Sequence, residues 1–332
     1  MGRTHNRFYI GASSITILML LGGCGVSREN QSVTPPAAAS VAVTGAVSVK
    51  DGTGATIALK KPATSFVCLD PSSIEMLKDL GVGPKNIAIL NGYQSFAKLF
   101  YGSAANKMRV IGGSWEQPNV EDILAAHPDL VIGDAYPHAE LKSALKGATE
   151  MYLISRSGGY QQSMNDLVNL GILTGHKTTA EKDVKQFDNA LKKAEAKSPK
   201  NQTSLIIWGT SPTDFSVPTI DDPSASVLAA ISKYPWGGHG AQGMNLSLDQ
   251  ILKVNPDVIF VESIGKLDGD ANAPSLTSQL ASNPLWKHLK AVKDHRVYEV
   301  NPLIWHDDRG GLGLETILNQ AMPKLYPHQK TS

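Results

Sequence analysis

Apolar residues return along this chain at two periods. Short apolar runs such as Ser65-Phe66-Val67-Cys68-Leu69, Ile87-Ala88-Ile89-Leu90, Met151-Tyr152-Leu153-Ile154 and Ser204-Leu205-Ile206-Ile207-Trp208 suit strands buried on both faces of a parallel sheet. Between them lie stretches with the three-and-four spacing of an amphipathic helix. One unit of this alternation occurs twice. Val120-Glu121-Asp122-Ile123-Leu124-Ala125-Ala126-His127-Pro128-Asp129-Leu130-Val131-Ile132-Gly133 is echoed by Leu248-Asp249-Gln250-Ile251-Leu252-Lys253-Val254-Asn255-Pro256-Asp257-Val258-Ile259-Phe260-Val261, at a constant offset of 128 residues. Each copy reads as a short helix, a Pro-Asp corner that stops it, and a buried strand. Two matched copies imply two similar α/β lobes with a cleft between them.

Further elements fit this plan. Val47 to Lys50 and Ala55 to Leu59 flank the turn Asp51-Gly52-Thr53-Gly54, a hairpin signal. Pro71-Ser72-Ser73 opens a helix through Leu80. Ala180, Val184, Phe187, Leu191 and Ala194 fall three and four apart, predicting a helix over 178–197 that ends before Ser198-Pro199. Arg296-Val297-Tyr298-Glu299-Val300 predicts a late strand, and 312–325 a last helix. The fold class expected is α/β: two Rossmann-like lobes with mainly parallel sheets, joined by a single long α-helix, with a ligand cleft between the lobes. The boundaries expected are a first lobe over 46–165, a linking helical segment over 166–199 and a second lobe over 200–328.

The start of the chain differs in character. Arg3, His5 and Arg7 precede an apolar run from Phe8 to Leu21, the pattern of an export leader and too short for a spanning helix. The run ends at Leu21-Gly22-Gly23-Cys24, where slim residues before a cysteine suit a lipoprotein signal peptidase. Residues 1–24 are therefore expected to be a lipoprotein signal peptide, with Cys24 acylated (a palmitate-type anchor) and the protein exported, tethered to a membrane, and facing the periplasm or the cell surface. Residues 25–45, rich in Ser, Thr, Pro, Ala and Val, read as a flexible tether. The one other cysteine, Cys68, sits in an apolar strand pattern and reads as a buried structural thiol.

Composition excludes several classes. A net charge of +1 gives no basic footprint for nucleic acid. Gly238-His239-Gly240-Ala241-Gln242-Gly243 matches a dinucleotide fingerprint as text but follows Pro-Trp rather than a strand. Asp268-Gly269-Asp270-Ala271-Asn272 begins like a calcium loop but lacks its later Gly and Glu. No Gly-x-Ser-x-Gly, Cys-x-x-Cys or His-Glu-x-x-His occurs, and the histidines lack zinc spacing. An enzyme is not expected.

The leader with its cysteine, the opening hairpin over Asp51 to Leu59, the doubled Pro-Asp unit, Gln117-Pro118-Asn119-Val120-Glu121, Leu170-Gly171-Ile172-Leu173-Thr174-Gly175 and Asn283-Pro284-Leu285-Trp286 before His295-Arg296-Val297-Tyr298 occur in one order. Together they resemble the substrate-binding lipoproteins of iron-siderophore, haem and vitamin B12 ABC importers, the class III type with a helical backbone. That resemblance implies two lobes bridged by one helix, a cleft for an iron chelate, no cofactor beyond that Fe(III) ligand, and docking of a monomer on a membrane permease through one glutamate per lobe. Glu75 matches the first docking position. The second falls near Ser226, where no glutamate stands, and Asp221 or Asp222 would substitute.

In open α/β sheets a ligand sits beyond the carboxyl ends of the strands. The loops so selected hold the candidate ligand-binding residues Tyr93, Trp115, Tyr136, Arg156, Trp208, Trp236, Trp305 and Arg309. Aromatic residues make up only 6% of the chain, yet four tryptophans fall in or next to these loops, each able to bury roughly 150–250 Å². Arginine offers a rigid fork of donors to carboxylate, catecholate or hydroxamate oxygens. Arg309, in Trp305-His306-Asp307-Asp308-Arg309-Gly310, resembles the family's late loop and ranks above Arg156. Tyr136 matches a ligand-contacting tyrosine of ferric hydroxamate binders, but Trp115 stands where those binders carry an arginine. His306 could ligate haem iron, although a solvated loop histidine is the ordinary reading. The expected function is capture of a metal chelate, foremost a ferric siderophore, for an ABC importer. Haem or a corrinoid is the alternative ligand. A lipid-anchored α/β hydrolase is the alternative of another class, and a surface adhesion module without a concave pocket is a third.

Overall fold

The computed structural model describes residues 45–238, 243–266 and 273–327. The leader with Cys24, nearly all of the tether, the centre of the 238–243 segment and all of the 268–272 segment lie outside the described residues. Among the described residues no helix is long and apolar enough to cross a membrane.

Strands β1 (Val47–Lys50) and β2 (Thr56–Leu59) form the expected antiparallel hairpin, with Val47 opposite Leu59. Asp51 holds its turn by accepting from the Thr53 and Ala55 amides at 2.9 and 3.1 Å, and it pairs with Lys142. The Gly52 amide donates to the Leu153 carbonyl at 2.6 Å, and a Cβ at Gly52 would stand 2.4 Å from the Ser155 nitrogen, so only glycine allows the hairpin so close to the first sheet.

That sheet contains β3 (Phe66–Cys68), β4 (Ile87–Leu90), β5 (Arg109–Ile111), β6 (Leu130–Asp134) and β7 (Glu150–Ile154). All five are parallel, in the order β5-β4-β3-β6-β7. The chain builds from β3 to one side, then returns to fill the other, so a topological switch lies between β3 and β6. Strands β4 and β6 are buried at every residue, which is why they read as unbroken apolar runs. Cys68 is fully buried in β3, and burial pushes its thiol up to about 12.

The second sheet contains β8 (Ser204–Ser211), β9 (Asp214–Ser216), β10 (Val258–Ser263) and β11 (Val297–Val300), in the order β11-β10-β8-β9. Strands β8, β10 and β11 are parallel, while β9 folds back antiparallel on β8. Helices Val120–Ala125 and Leu248–Val254 precede β6 and β10, as the doubled pattern predicts. The residue before each proline, His127 or Asn255, takes a left-handed turn at φ 47° or 53°. Each Asp that follows ties its strand to the neighbouring one. Asp129 accepts from the Thr64 and Ser65 amides at 2.8 and 3.1 Å, and Asp257 accepts from the Thr203 amide at 2.7 Å.

The linking segment is two helices, Gly159–Leu173 and Lys177–Lys197, the second being the long helix the apolar spacing predicts. It contributes Ala180 to the first lobe's core and Phe187, Leu191 and Ala194 to the second's. The last helix, Gly311–Leu325, packs its Leu314, Ile317 and Leu318 into the second core. Its first turn meets helix Pro71–Asp79 of the first lobe, where Glu75 Oε1 accepts from the Leu312 amide at 2.8 Å.

This contact corrects the expectation for Glu75. Its side chain is fully buried and cannot reach a permease. It faces Asp79 and Asp308, and a Cβ on Gly310 would lie 1.1 Å from its Oε2, so glycine is the one residue that leaves it room. Burial, with Asp308 and Asp79 close by, lifts the Glu75 carboxyl well above its usual range. Asp308 is pushed up to about 8 and Asp79 to about 6, burial being the largest cause for both. Three carboxyls packed so closely in a dry site share protons rather than repel as full charges.

Candidate ligand cleft

Loops from the carboxyl ends of both sheets enclose a cavity of about 480 Å³. The first lobe supplies Asp70 and Pro71 after β3, Tyr93 and Phe96 after β4, Trp115 after β5 and Arg156 after β7. The second lobe supplies Ile264 after β10 and Leu303, His306, Asp307 and Arg309 after β11. Asp70 and Asp134 thus flank the topological switch of the first sheet.

The first-lobe wall is braced. Asp134, fully buried at the end of β6, accepts from Arg156 Nη1 at 2.8 Å and from Trp115 Nε1 at 3.3 Å. The Arg156 guanidinium lies 5.5 Å from the Trp115 ring centre, within cation–π range. His138 fixes the indole from behind: its Nδ1 accepts from the Asp134 amide at 2.9 Å, and its Nε2 donates to the Trp115 carbonyl at 2.7 Å. Burial lowers the His138 pKa, in keeping with a neutral ring. Asp70 caps helix Pro71–Asp79 by accepting from the Ser73 amide at 3.3 Å, and Ser72 donates to the same oxygen. Burial, then the nearby Asp134, lifts the Asp70 carboxyl well above its usual range. Tyr93 donates its hydroxyl to the Leu69 carbonyl at 3.3 Å.

The second-lobe wall carries a different cation. Glu262, 1% exposed at the end of β10, lies 3.2 Å from His306 Nδ1, and the His306 ring sits 4.8 Å from Trp208. Burial opposes charge on the imidazole, but the Glu262 contact outweighs it and holds the His306 pKa above its ordinary value. Arg309 is 3% exposed, its closest carboxylate is Asp222 at 3.8 Å, and its Nη1 is buried without a hydrogen-bond partner. A buried guanidinium donor left unpaired beside a cavity fits an anionic oxygen supplied from outside the chain.

The cavity gathers Tyr93, Trp115, Arg156 and Arg309 as the sequence predicts, together with His306. Tyr136 does not line the cavity; it is 56% exposed, and its ring centre lies 6.1 Å from that of Trp115 in an edge-on arrangement. Trp208 reaches the cavity only through its contact with His306. Two expected wall residues are core residues instead. Trp236 is 4% exposed and donates its indole N–H to the Ser204 carbonyl at 2.7 Å. Trp305 is 1% exposed, stacks on Phe260 at 4.7 Å and donates to Gln320 at 2.9 Å. Both rings turn from their loops into the second lobe, where their N–H groups find partners. In the second lobe Asp222 caps helix Pro223–Ile231 through the Ser224 amide at 2.9 Å, and Ser226 is buried beneath it. Sequence reasoning assigned no role to Asp70, Asp134 and Glu262, the carboxylates that orient the wall, although all three fall at the strand ends where a ligand is expected. Among the described residues no group of three or more His, Cys, Asp or Glu is placed to hold a bare metal ion.

A family model described as periplasmic binding protein matches residues 66–302. The Fe(3+)-citrate-binding protein YfmC of Bacillus subtilis is 26% identical over 332 residues, covering 98% of this chain and 99% of the relative. The Fe(3+) dicitrate-binding periplasmic protein FecB of Escherichia coli is 27% identical, covering 86% of this chain and 91% of the relative. The crystal structure of the triscatecholate siderophore binding protein FeuA from Bacillus subtilis, complexed with ferri-bacillibactin, superposes with a TM-score of 0.69 over 84% of this chain and 98% of that one, at 23% identity. This is a family of binding proteins and not of enzymes, and it lends no support to a hydrolase. With a model match spanning most of both lobes and the cleft they enclose, this chain belongs to the periplasmic binding protein family.

Proposed function

We propose that this protein captures a ferric chelate rich in anionic oxygens and hands it to the permease of an ABC importer, held at a membrane through a lipid on Cys24. The observation that carries the reading is the pair of guanidinium groups, Arg156 and Arg309, set in one cavity of about 480 Å³, with a buried donor of Arg309 unpaired. That volume falls in the usual range for small-molecule sites. Fork-shaped donors match carboxylate oxygens, and an indole wall at Trp115 shields them from water. Relatives whose names carry ferric citrate point to the same ligand chemistry. Iron enters as part of the cargo and not as a resident cofactor. The relatives include proteins described as lipoproteins, in keeping with an exported, anchored protein.

Tryptophan fluorescence of the purified chain tests the reading, because Trp115 lies against the cavity. Ferric citrate should quench it at micromolar or lower concentration, equivalent to about 8 kcal/mol. Ferric hydroxamate, ferric catecholate, haem and cobalamin should bind more weakly. Quenching by haem or cobalamin alone would overturn the ferric reading. In cells, Cys24→Ser should abolish incorporation of labelled palmitate and release the protein from the membrane fraction.

A further inference from the structure

We infer that His306 is a proton-dependent ligand-holding group of the cleft, donating from Nε2 to an anionic oxygen of the chelate opposite Arg156. The inference rests on the ferric-chelate reading and deepens it. It favours chelates that present anionic oxygens on two sides over those with anionic oxygens on one side only.

The doubled unit supplies the first argument. Asp134 and Glu262 stand at the same 128-residue offset as the rest of the pattern, one residue beyond its apolar end. Asp134 is the last residue of β6 and Glu262 the last but one of β10; each is buried, and each holds one basic side chain: Arg156 at 2.8 Å and His306 at 3.2 Å. Each of those groups lies against an indole, Trp115 at 5.5 Å and Trp208 at 4.8 Å. Both groups line the same cavity. The arrangement of carboxylate, base and indole therefore occurs on both walls, with a permanent cation on one and a titratable ring on the other.

The second argument is tautomeric. Glu262 occupies Nδ1, and among the described residues Nε2 has no hydrogen-bond partner. With the Nδ1 proton directed at a carboxylate, Nε2 carries a proton only when the ring is charged. A charged ring donates to an anionic ligand, whereas a neutral ring turns a lone pair toward it. The charged groups facing the ring are Glu262 from β10, Asp307 from its own loop and Arg156 from the opposite wall. Asp70, Asp134 and Arg309 line or flank the same space. Glu262 and Asp307 favour the charged ring, while burial and Arg156 oppose it, with a net upward shift. The donor is present at low pH and is lost as pH rises through this raised pKa.

The test is calorimetric titration of the full-length chain, purified in detergent, with ferric citrate at about pH 6 and about pH 8.5. Wild type, His306→Gln and Glu262→Gln are compared, so that changes in ferric citrate itself cancel. Wild type should lose about tenfold more affinity than His306→Gln between the two pH values. Glu262→Gln should move the loss to lower pH. Equal pH slopes for wild type and His306→Gln would overturn the inference, as would an unmoved midpoint in Glu262→Gln. Affinity that rises with pH, with a new absorption band missing in His306→Gln, would overturn it in favour of iron ligation by neutral imidazole. Failure of wild type to bind ferric citrate at either pH would remove the underlying reading, and the inference with it.

Discussion

The two walls of the cleft begin from the same sequence unit and end differently. In the first lobe the carboxylate at the strand's end holds an arginine, and His138 braces the neighbouring indole from behind. The glycine before that carboxylate, Gly133, makes room for this brace, because a Cβ there would lie 2.9 Å from His138 Nδ1. In the second lobe the equivalent position is Val261, and the carboxylate holds a histidine against Trp208. One duplicated scaffold thus gives a fixed wall and an adjustable wall. Strand ends set where a carboxylate stands, while the loops that follow decide what it holds.

The sharpest way to break this comparison is Arg156→Gln. It removes the permanent cation and leaves Asp134 buried without its partner, so calorimetry should show ferric citrate affinity falling by about a hundredfold at every pH. Next is Trp115→Ala, which strips the braced wall; the same measurement should show about a tenfold loss that is also independent of pH. A third effect concerns the seam between the walls. Asp308, whose folded pKa of about 8 stands well above the ordinary aspartate value of about 3.9, stays protonated where the unfolded chain has already ionised it. Its contribution is full below the unfolded value and drains as pH rises through about 8. Thermal melts should therefore show stability declining across that window, and Asp308→Asn should flatten the decline by on the order of 1 kcal/mol. The smallest effect is Trp208→Ala. It should cost less than threefold or so in affinity, and only at low pH, because Trp208 reaches the cavity through His306 alone.

Much of this was legible in the chain. The Pro-Asp corners, the buried strands and the linking helix follow from hydrophobic period and turn chemistry, since those are local properties. Tyr93, Trp115, Arg156 and Arg309 follow from the rule that ligands sit beyond strand ends. That rule names loops but not directions, so it could not tell that Trp236 and Trp305 turn inward to Ser204 and Gln320. Glu75 misled because a helix carboxylate is ordinarily solvated. Its helix is packed on both sides, with Ile74, Met76 and Leu77 buried around it, and only the long-range meeting with Leu312 reveals that. Asp134 and Glu262 left a trace that the pattern as read stopped one residue short of: both are acids at the common offset. Their partners, Arg156 and His306, follow different strands, and no local pattern joins them.

Helix Lys177–Lys197 places Ala180 among the side chains of one lobe and Phe187, Leu191 and Ala194 among those of the other. Melting either half strips apolar cover from the half that remains. Heating should accordingly give one calorimetric endotherm rather than two, and a proteolytic nick within this helix should sacrifice both halves together.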